Sequence, residues 1–327
     1  MSSGRSIARL SAGTVSAGLR GGVVAIGNFD GVHRGHQAVL GTAREIAEAE
    51  ERPLICLTFE PHPRSVFDPQ HPVPRLTPAP VRARLLSALG FDAVVEQGFD
   101  RAFAGIEPDD FVRSVLVDCL GAAHVVAGFD FHYGRKRAGT PQTLVAAGER
   151  HGFGATLVPA RTDAGGATIS SSRIRALLGE GDVAGAAALL GYRWTIEGTV
   201  QRGAQLGRTL GYPTANVTLQ PETMLSFGIY AVRLRRADGS LHDGVASYGR
   251  RPTFDDGAAL FETFLFDFSG DLYGDTIAVS IFERLRGEKK FDSVEALIAQ
   301  MDRDSAEARA ALAGAAPLGD LDRRMAF

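Results

Sequence analysis

The sequence predicts two domains of different class: an α/β domain with a doubly wound parallel sheet, then a β domain forming an antiparallel barrel with a terminal helix. Three observations predict it. From Gly22 to about Leu190, short β-branched runs alternate with stretches of 3.6-residue apolar period, the pattern of parallel strands joined by crossover helices. Beyond Leu190 the runs lengthen and alternate apolar with polar, separated by turn signals instead of helices. The stretch 291–314, FDSVEALIAQMDRDSAEARAALAG, then returns to helical periodicity. With 327 residues, 45% hydrophobic and 22% charged, the chain can bury two cores of ordinary size. The change of pattern at Ala187–Tyr192 puts the domains at 12–186 and 187–312.

In the first half the strands fall at 23–27, 54–59, 92–96, 123–128 and 155–159. Between them Val39, Ala43, Ile46 and Ala47 share one helical face, as do Leu85, Leu86 and Leu89, and Phe111, Val115 and Cys119. Doubly wound sheets bind ligands beyond the C-terminal ends of their strands, where the strand order reverses. The loops after Gly27, Phe59 and Gly128 should therefore line one cleft. In the second half the strand runs are 193–200, 228–236, 244–249, 260–268 and 276–285, with Asp238-Gly239 as a hairpin turn. The closing helix starts at an Asp or Ser cap.

Composition excludes several classes. A net charge of −3 is too small for a protein that coats nucleic acid, so none is expected as partner. Cys56 and Cys119 stand apart, without metal-ligand or redox spacing, and read as thiols in a reducing compartment. No apolar run approaches the roughly 20 residues that span a bilayer, and the start lacks a secretory hydrophobic stretch. A cytoplasmic protein without membrane contact is expected, and the sequence allows self-association. The first 22 residues, rich in Ser and Arg and without an acidic residue, share the composition of an organelle transit peptide and equally suit a frayed lead-in to the first strand.

The segment Ile26–His36, IGNFDGVHRGH, places a polar, Gly-rich turn between a strand end and a helix start. Backbone N–H groups and the helix dipole there make an anion site. Gly27, Gly31 and Gly35 let the main chain approach phosphates, while His33 and His36 can aim imidazole N–H donors at one phosphoryl group. Downstream, ISSSRIR (169–175) reads alone as a Ser-capped surface helix. Together the segments resemble the His-x-Gly-His nucleotidyltransferase signature and its partner motif. The resemblance implies a Rossmann-like nucleotidyltransferase fold in which Gly27, Asn28, Phe29, Asp30, Gly35, Ser170 and Ser171 bind ATP, and His33, His36 and Arg175 stabilise charge as the α-phosphorus is attacked. A phosphate monoester needs little general base, because it is already an anion at neutral pH, so charge neutralisation and alignment are the demands to meet.

TFEPHPRSVF (58–67), GFDFHYGRKRAGT (128–140) and the RLTPAPVRARLLSALGFDAV stretch are similar to the adenylyltransferase half of the bifunctional riboflavin kinase/FMN adenylyltransferase family, the prokaryotic FAD synthetases. That similarity implies a flavin-side loop shaped by Pro61, His62 and Pro63, with Asp130 pointing into the cleft. The run Arg135-Lys136-Arg137 suits a solvated loop and a phosphate contact equally.

The stretch 198–216, GTVQRGAQLGRTLGYPTAN, is Gly-rich but lacks the Lys-Ser/Thr ending of a Walker loop. Alone it reads as a long barrel loop; it resembles the ATP loop of riboflavin kinases. The resemblance implies ATP contacts from Gly207, Arg208, Gly211 and Pro213, and Mg²⁺ held by Thr214 and Asn216, both hard-oxygen donors. Phosphorylating an alcohol requires a proton acceptor, and Glu262 in ETFLFDFSGDLYG (262–274) is the candidate base. RPTF (251–254) and RLRGEKKF (284–291) also match, the latter as a flap over flavin. The chain departs from the family pattern at His132, Thr140 and Ser247, where Arg, an acidic residue and Asn are usual. The resemblance thus implies ATP, riboflavin and FMN as substrates, Mg²⁺ as cofactor and FAD as final product. A lone nucleotidyltransferase with a recognition barrel, or a non-catalytic nucleotide sensor, would not need the base at Glu262.

Overall fold

A computed structural model describes residues 7–202, 212–219, 223–250 and 259–327, and by contact the chain divides into two compact units, Met1–Ser171 and Ser172–Phe327. Among the described residues the first unit has six parallel strands: β1 (Ala8–Ser11), β2 (Val23–Ile26), β3 (Leu54–Glu60), β4 (Ala93–Gly98), β5 (His124–Gly128) and β6 (Gly154–Val158). They lie in the order β1-β4-β3-β2-β5-β6. The runs VVAI and LICLTF are buried throughout, as expected for strands covered on both faces.

Helix α1 (Arg34–Ala49) lies against β2, β3 and β5, and α2 (Pro63–Phe67) and α3 (Ala79–Ala88) follow β3. Another helix, α4 (Pro108–Phe111, continuing with wider winding over Val112–Cys119), joins α5 (Pro141–His151) in a separate core, packing Phe111, Val115, Leu144 and Ala147 on Val24, Ile26, Ile55 and Leu57. The strand order reverses at β2, which leads to β3 and β4 on one side and has β5 on the other. The loops leaving β2 and β5 open the cleft there.

The N-terminal segment corrects the sequence reading. Ala8–Ser11 is no frayed lead-in but the edge strand of the sheet, paired in parallel with Ala93–Glu96. Arg9 fixes it through two 3.0 Å hydrogen bonds to the Glu96 carboxylate. A mostly exposed four-residue edge strand carries too little apolar alternation to be read from sequence.

In the second unit α6 (Ser171–Glu180) and α7 (Val183–Leu190) precede strands β7 (Thr195–Thr199), β8 (Thr214–Thr218), β9 (Gly228–Arg235), β10 (Leu241–Arg250), β11 (Ala259–Leu265) and β12 (Thr276–Arg286). The Ser226 N–H donates to the Leu178 carbonyl at 3.0 Å, which ties α6 to the barrel. The sequence pattern changes only at Ala187–Tyr192 because strand periodicity starts there. The sheet is antiparallel, in the order β7-β12-β9-β10-β11-β8. Its edges meet where the Gln201 N–H donates to the Asn216 carbonyl at 2.9 Å, which closes the barrel. Along β11, Phe261, Thr263 and Leu265 are buried while Leu260, Glu262 and Phe264 are half-exposed, the period-two alternation of a barrel wall. The Asp238-Gly239 turn joins β9 to β10 with Gly239 at φ +86°.

Three details differ from the sequence pattern or refine it. Thr214–Thr218, in the stretch read alone as a loop, is strand β8. Ser293 caps α8 (Val294–Ala313), its hydroxyl accepting from the Ala296 N–H at 3.1 Å. Helix α9 (Asp320–Ala326), too short to show a period, docks by burying Leu321, Met325 and Ala326. Its Asp322, fully buried, ion-pairs with Arg193 and accepts the N–H groups of Arg193 at 2.8 Å and Leu318 at 2.9 Å.

Candidate functional site

The turn after β2 is wound tightly by three left-handed residues, Phe29 (φ +47°), Gly31 (φ +89°) and Val32 (φ +38°). Such a backbone persists only where neighbours over-determine it. Thr58 Oγ1 donates to the Asn28 carbonyl at 3.2 Å, Gln37 Nε2 to that of Val32 at 2.7 Å, and Ser171 Oγ to that of Asp30 at 2.7 Å. The Gly31 N–H donates to Thr77 Oγ1 at 2.8 Å, and the Thr77 N–H to Asp30 Oδ1 at 3.0 Å. The glycines at both ends leave room for the rings beside them. A Cβ on Gly27 would meet the Phe29 ring at 3.1 Å, and one on Gly35 would meet the His33 ring at 3.1 Å.

His33 caps α1, its Nδ1 accepting the His36 N–H at 3.2 Å, which keeps the His33 proton on Nε2 in the neutral ring. The His33 and His36 rings stack, centroids 3.6 Å apart and 15° from parallel, and Phe29 meets His36 edge-on. His36 Nδ1 is buried without a hydrogen-bond partner among the described residues, a state expected of a group that meets a ligand. Burial, and secondarily the neighbouring His33, push the His36 pKa well below the ordinary histidine value, so it is a neutral donor at pH 7. Asn28 is exposed at the turn, whereas Phe29 and Asp30 are buried beneath it and support it.

Ser170 and Ser171 stand at the start of α6, and Arg175 follows one turn along that helix, half-buried. On the flavin side, His62 is half-buried and caps α2, accepting the Arg64 N–H at 3.2 Å. Asp130 is exposed in the loop after β5, beside exposed Phe129, while Tyr133 is buried against Phe111. Of the basic run, Arg135 pairs with Glu107 at 3.0 Å and Lys136 and Arg137 are exposed.

The second unit brings its candidates together by strand register. Glu262 on β11 lies directly across from Asn216 on β8 and, on its other side, from Ser247 on β10. Direct cross-strand partners project from the same sheet face, so the candidate base and a candidate metal oxygen are immediate neighbours. Thr214 Oγ1 lies 3.4 Å from Asn216 Oδ1. Glu262 is half-buried and Asn216 is 4% exposed. Beside them opens a cavity of about 480 Å³ lined by Pro213, Thr214 and Asn216, and also by Val200, Phe268 and Tyr273. The last three were assigned no role from sequence, although they lie within the 198–216 and 262–274 stretches that carry the resemblance. Gly207, Arg208, Gly211 and RPTF (251–254) lie outside the described residues. Among those described, no three His, Cys, Asp or Glu side chains gather as a metal site.

A family model for FAD synthetase matches residues 16–173, and one for riboflavin kinase matches 190–312. A Listeria monocytogenes protein described as bifunctional riboflavin kinase/FMN adenylyltransferase is 40% identical over 291 residues, covering 88% of this chain and 91% of that one. One of the same description from Pseudomonas fluorescens is 41% identical over 299 residues, covering 91% and 95%. The crystal structure of a Streptococcus pneumoniae protein, titled a macrolide-efflux protein, superposes with a TM-score of 0.82 at 31% identity, over 93% of this chain and 99% of that one. Among the described residues here, no helix is long and apolar enough to cross a membrane.

Proposed function

The chain belongs to the bifunctional riboflavin kinase/FMN adenylyltransferase family, and from that premise we propose which of its residues carry the two reactions. The enzyme phosphorylates riboflavin to FMN and adenylylates FMN to FAD. The observation that carries the assignment of residues is the register pairing of Asn216 with Glu262.

In the kinase reaction the primary alcohol of riboflavin attacks the γ-phosphorus of ATP. Its proton passes to Glu262, the new O–P bond forms, and the bond to ADP breaks. Thr214 and Asn216 would hold Mg²⁺. Two neutral oxygens 3.4 Å apart fit a cation that keeps waters and takes its remaining ligands from nucleotide phosphates. When bound, Mg²⁺ neutralises phosphate charge. Pro213 and the cavity beside it, with Gly207, Arg208 and Gly211, are assigned to ATP.

In the adenylylation reaction a phosphate oxygen of FMN attacks the α-phosphorus of ATP, and pyrophosphate leaves. The turn, the exposed Asn28, His33 and the neutral His36 offer donors to phosphoryl oxygens. Arg175 supplies positive charge, and Ser170 and the Ser171 N–H supply donors at the α6 start, the Ser171 hydroxyl being held by the Asp30 carbonyl. Gly27 and Gly35 admit the phosphates, Phe29 and Asp30 support the turn, and His62 and Asp130 face FMN. The free thiols Cys56 and Cys119 fit a reducing compartment, so we place the enzyme in the cytoplasm. Riboflavin incubated with the protein, ATP and Mg²⁺ should yield FMN, FAD, ADP and pyrophosphate on chromatography. Absence of both flavin nucleotides would overturn the reading.

A further inference from the structure

Arg75 and Thr77, in the segment between α2 and α3, touch neither set of proposed reacting groups, yet they connect the two sides of the adenylylation cleft. Thr77 and Asp30 are 1% and 2% exposed. The Gly31 N–H donates to Thr77 Oγ1 at 2.8 Å, the Thr77 hydroxyl is 3.4 Å from Asp30 Oδ1, and the Thr77 N–H donates to that same oxygen at 3.0 Å. This closed set of bonds grips the turn where it is left-handed, at Phe29, Gly31 and Val32. Arg75 extends the grip, with Nε 3.8 Å from Asp30 Oδ1 and Nη2 2.6 Å from Glu60 Oε1. Glu60 is the last residue of β3, two before His62, and the same oxygen accepts from the fully buried Arg82 at 2.6 Å. One guanidinium thus spans the carboxylate under the phosphate turn and the carboxylate at the root of the flavin-side loop.

We propose that Arg75 and Thr77 are positioning residues for adenylyl transfer, bracing the phosphate turn against the flavin-side end of β3 so that ATP and FMN are held in one alignment. The proposal rests on the adenylyltransferase reading of the first unit. A wild-type protein that fails to make FAD from FMN and ATP would overturn that reading, which is a different result from any below.

Thr77→Val keeps the branched shape but leaves the Gly31 N–H without its acceptor, and Thr77→Ser restores the hydroxyl. In the full-length protein Thr77→Val should lower kcat/KM for ATP in FAD formation by about 10- to 100-fold, the scale at which small misplacements of reacting groups are felt, mainly through KM. Thr77→Ser should stay within about threefold of wild type. Arg75→Met should raise KM for both ATP and FMN, about tenfold each, because the guanidinium reaches both sides. Riboflavin phosphorylation in the same preparations should not change, which checks the second unit, and an unchanged circular-dichroism spectrum checks that the first unit is folded. A Thr77→Val enzyme within about twofold of wild type in KM and kcat, a Thr77→Ser enzyme as impaired as Thr77→Val, or an Arg75→Met enzyme altered toward one substrate alone would each overturn the proposal.

Discussion

Replacing Glu262 by Gln removes the proposed proton acceptor and keeps the side chain's length and its place on the strand. Glu262 sits mid-strand on β11, where pairing with Asn216 and Ser247 runs through the backbone and is indifferent to the side chain. Gln has nearly the same length and shape at a half-exposed position, so the stability change should stay near the ordinary single-substitution scale of about 1 kcal/mol and leave the barrel folded. A general base contributes roughly 10²–10⁴-fold in rate, about 3–5 kcal/mol of activation barrier. FMN formation from riboflavin and ATP, followed by chromatography of the flavins, should fall by that factor, mostly in kcat, because Asn216 and Thr214 still hold the nucleotide side. FAD formation from supplied FMN should be unchanged. FMN formation within tenfold of wild type would remove Glu262 from the role of base. Loss of both activities would show that the two reactions are not separable by residue.

Three further outcomes follow from the geometry. Gly35→Ala places a Cβ 3.1 Å from the His33 ring, so FAD formation from FMN should drop by about tenfold or more while riboflavin phosphorylation persists; unaltered FAD formation would show that the histidine stack is not needed. His36 is held neutral by burial, so its folded pKa lies below its unfolded value of about 6.5, and the unfolded chain binds the proton first. Its contribution to stability is therefore full above about pH 6.5 and is lost as pH falls toward the folded pKa, at up to about 1.4 kcal/mol per pH unit. Urea unfolding followed by circular dichroism should show that slope reduced in His36→Gln, and equal slopes would contradict it. Asp322→Ala leaves Arg193 buried beside Phe282 without its carboxylate and strips two backbone N–H groups of their acceptor, which should cost about 3–5 kcal/mol. Fluorescence of Trp194, the only tryptophan in the chain, reports unfolding of the second unit, and an unchanged midpoint would refute the role.

The elements with strong local periodicity were legible. VVAI and LICLTF are buried on both faces, and their short apolar runs alternating with helical stretches marked them as interior strands, while Val39 and Ala43 repeat at the period of α1. Short elements held by long-range contacts were not. Ala8–Ser11 is a strand because Glu96 and the edge of β4 receive it, and Asp320–Ala326 is a helix docked by Arg193, 129 residues earlier than Asp322. The same holds within the sites. HRGH announces itself because glycine and histidine at that spacing have few structural uses. Thr77, which closes the same turn, lies 46 residues from Gly31 in the RLTP run, where the resemblance gave it no role, and becomes visible only when its hydroxyl is placed. Glu262 was legible as a candidate, but its register opposite Asn216 depends on the long-range pairing of β8 with β11, which no local pattern encodes.

Division of the two reactions between the two units is tested most directly by mixing two single variants. Glu262→Gln and His36→Ala should each fail to convert riboflavin to FAD alone, the first for want of FMN and the second accumulating it. An equimolar mixture with ATP and Mg²⁺ should restore FAD formation, since FMN made by one variant is substrate for the other. FAD from riboflavin with either variant alone, or none from the mixture, would contradict the division.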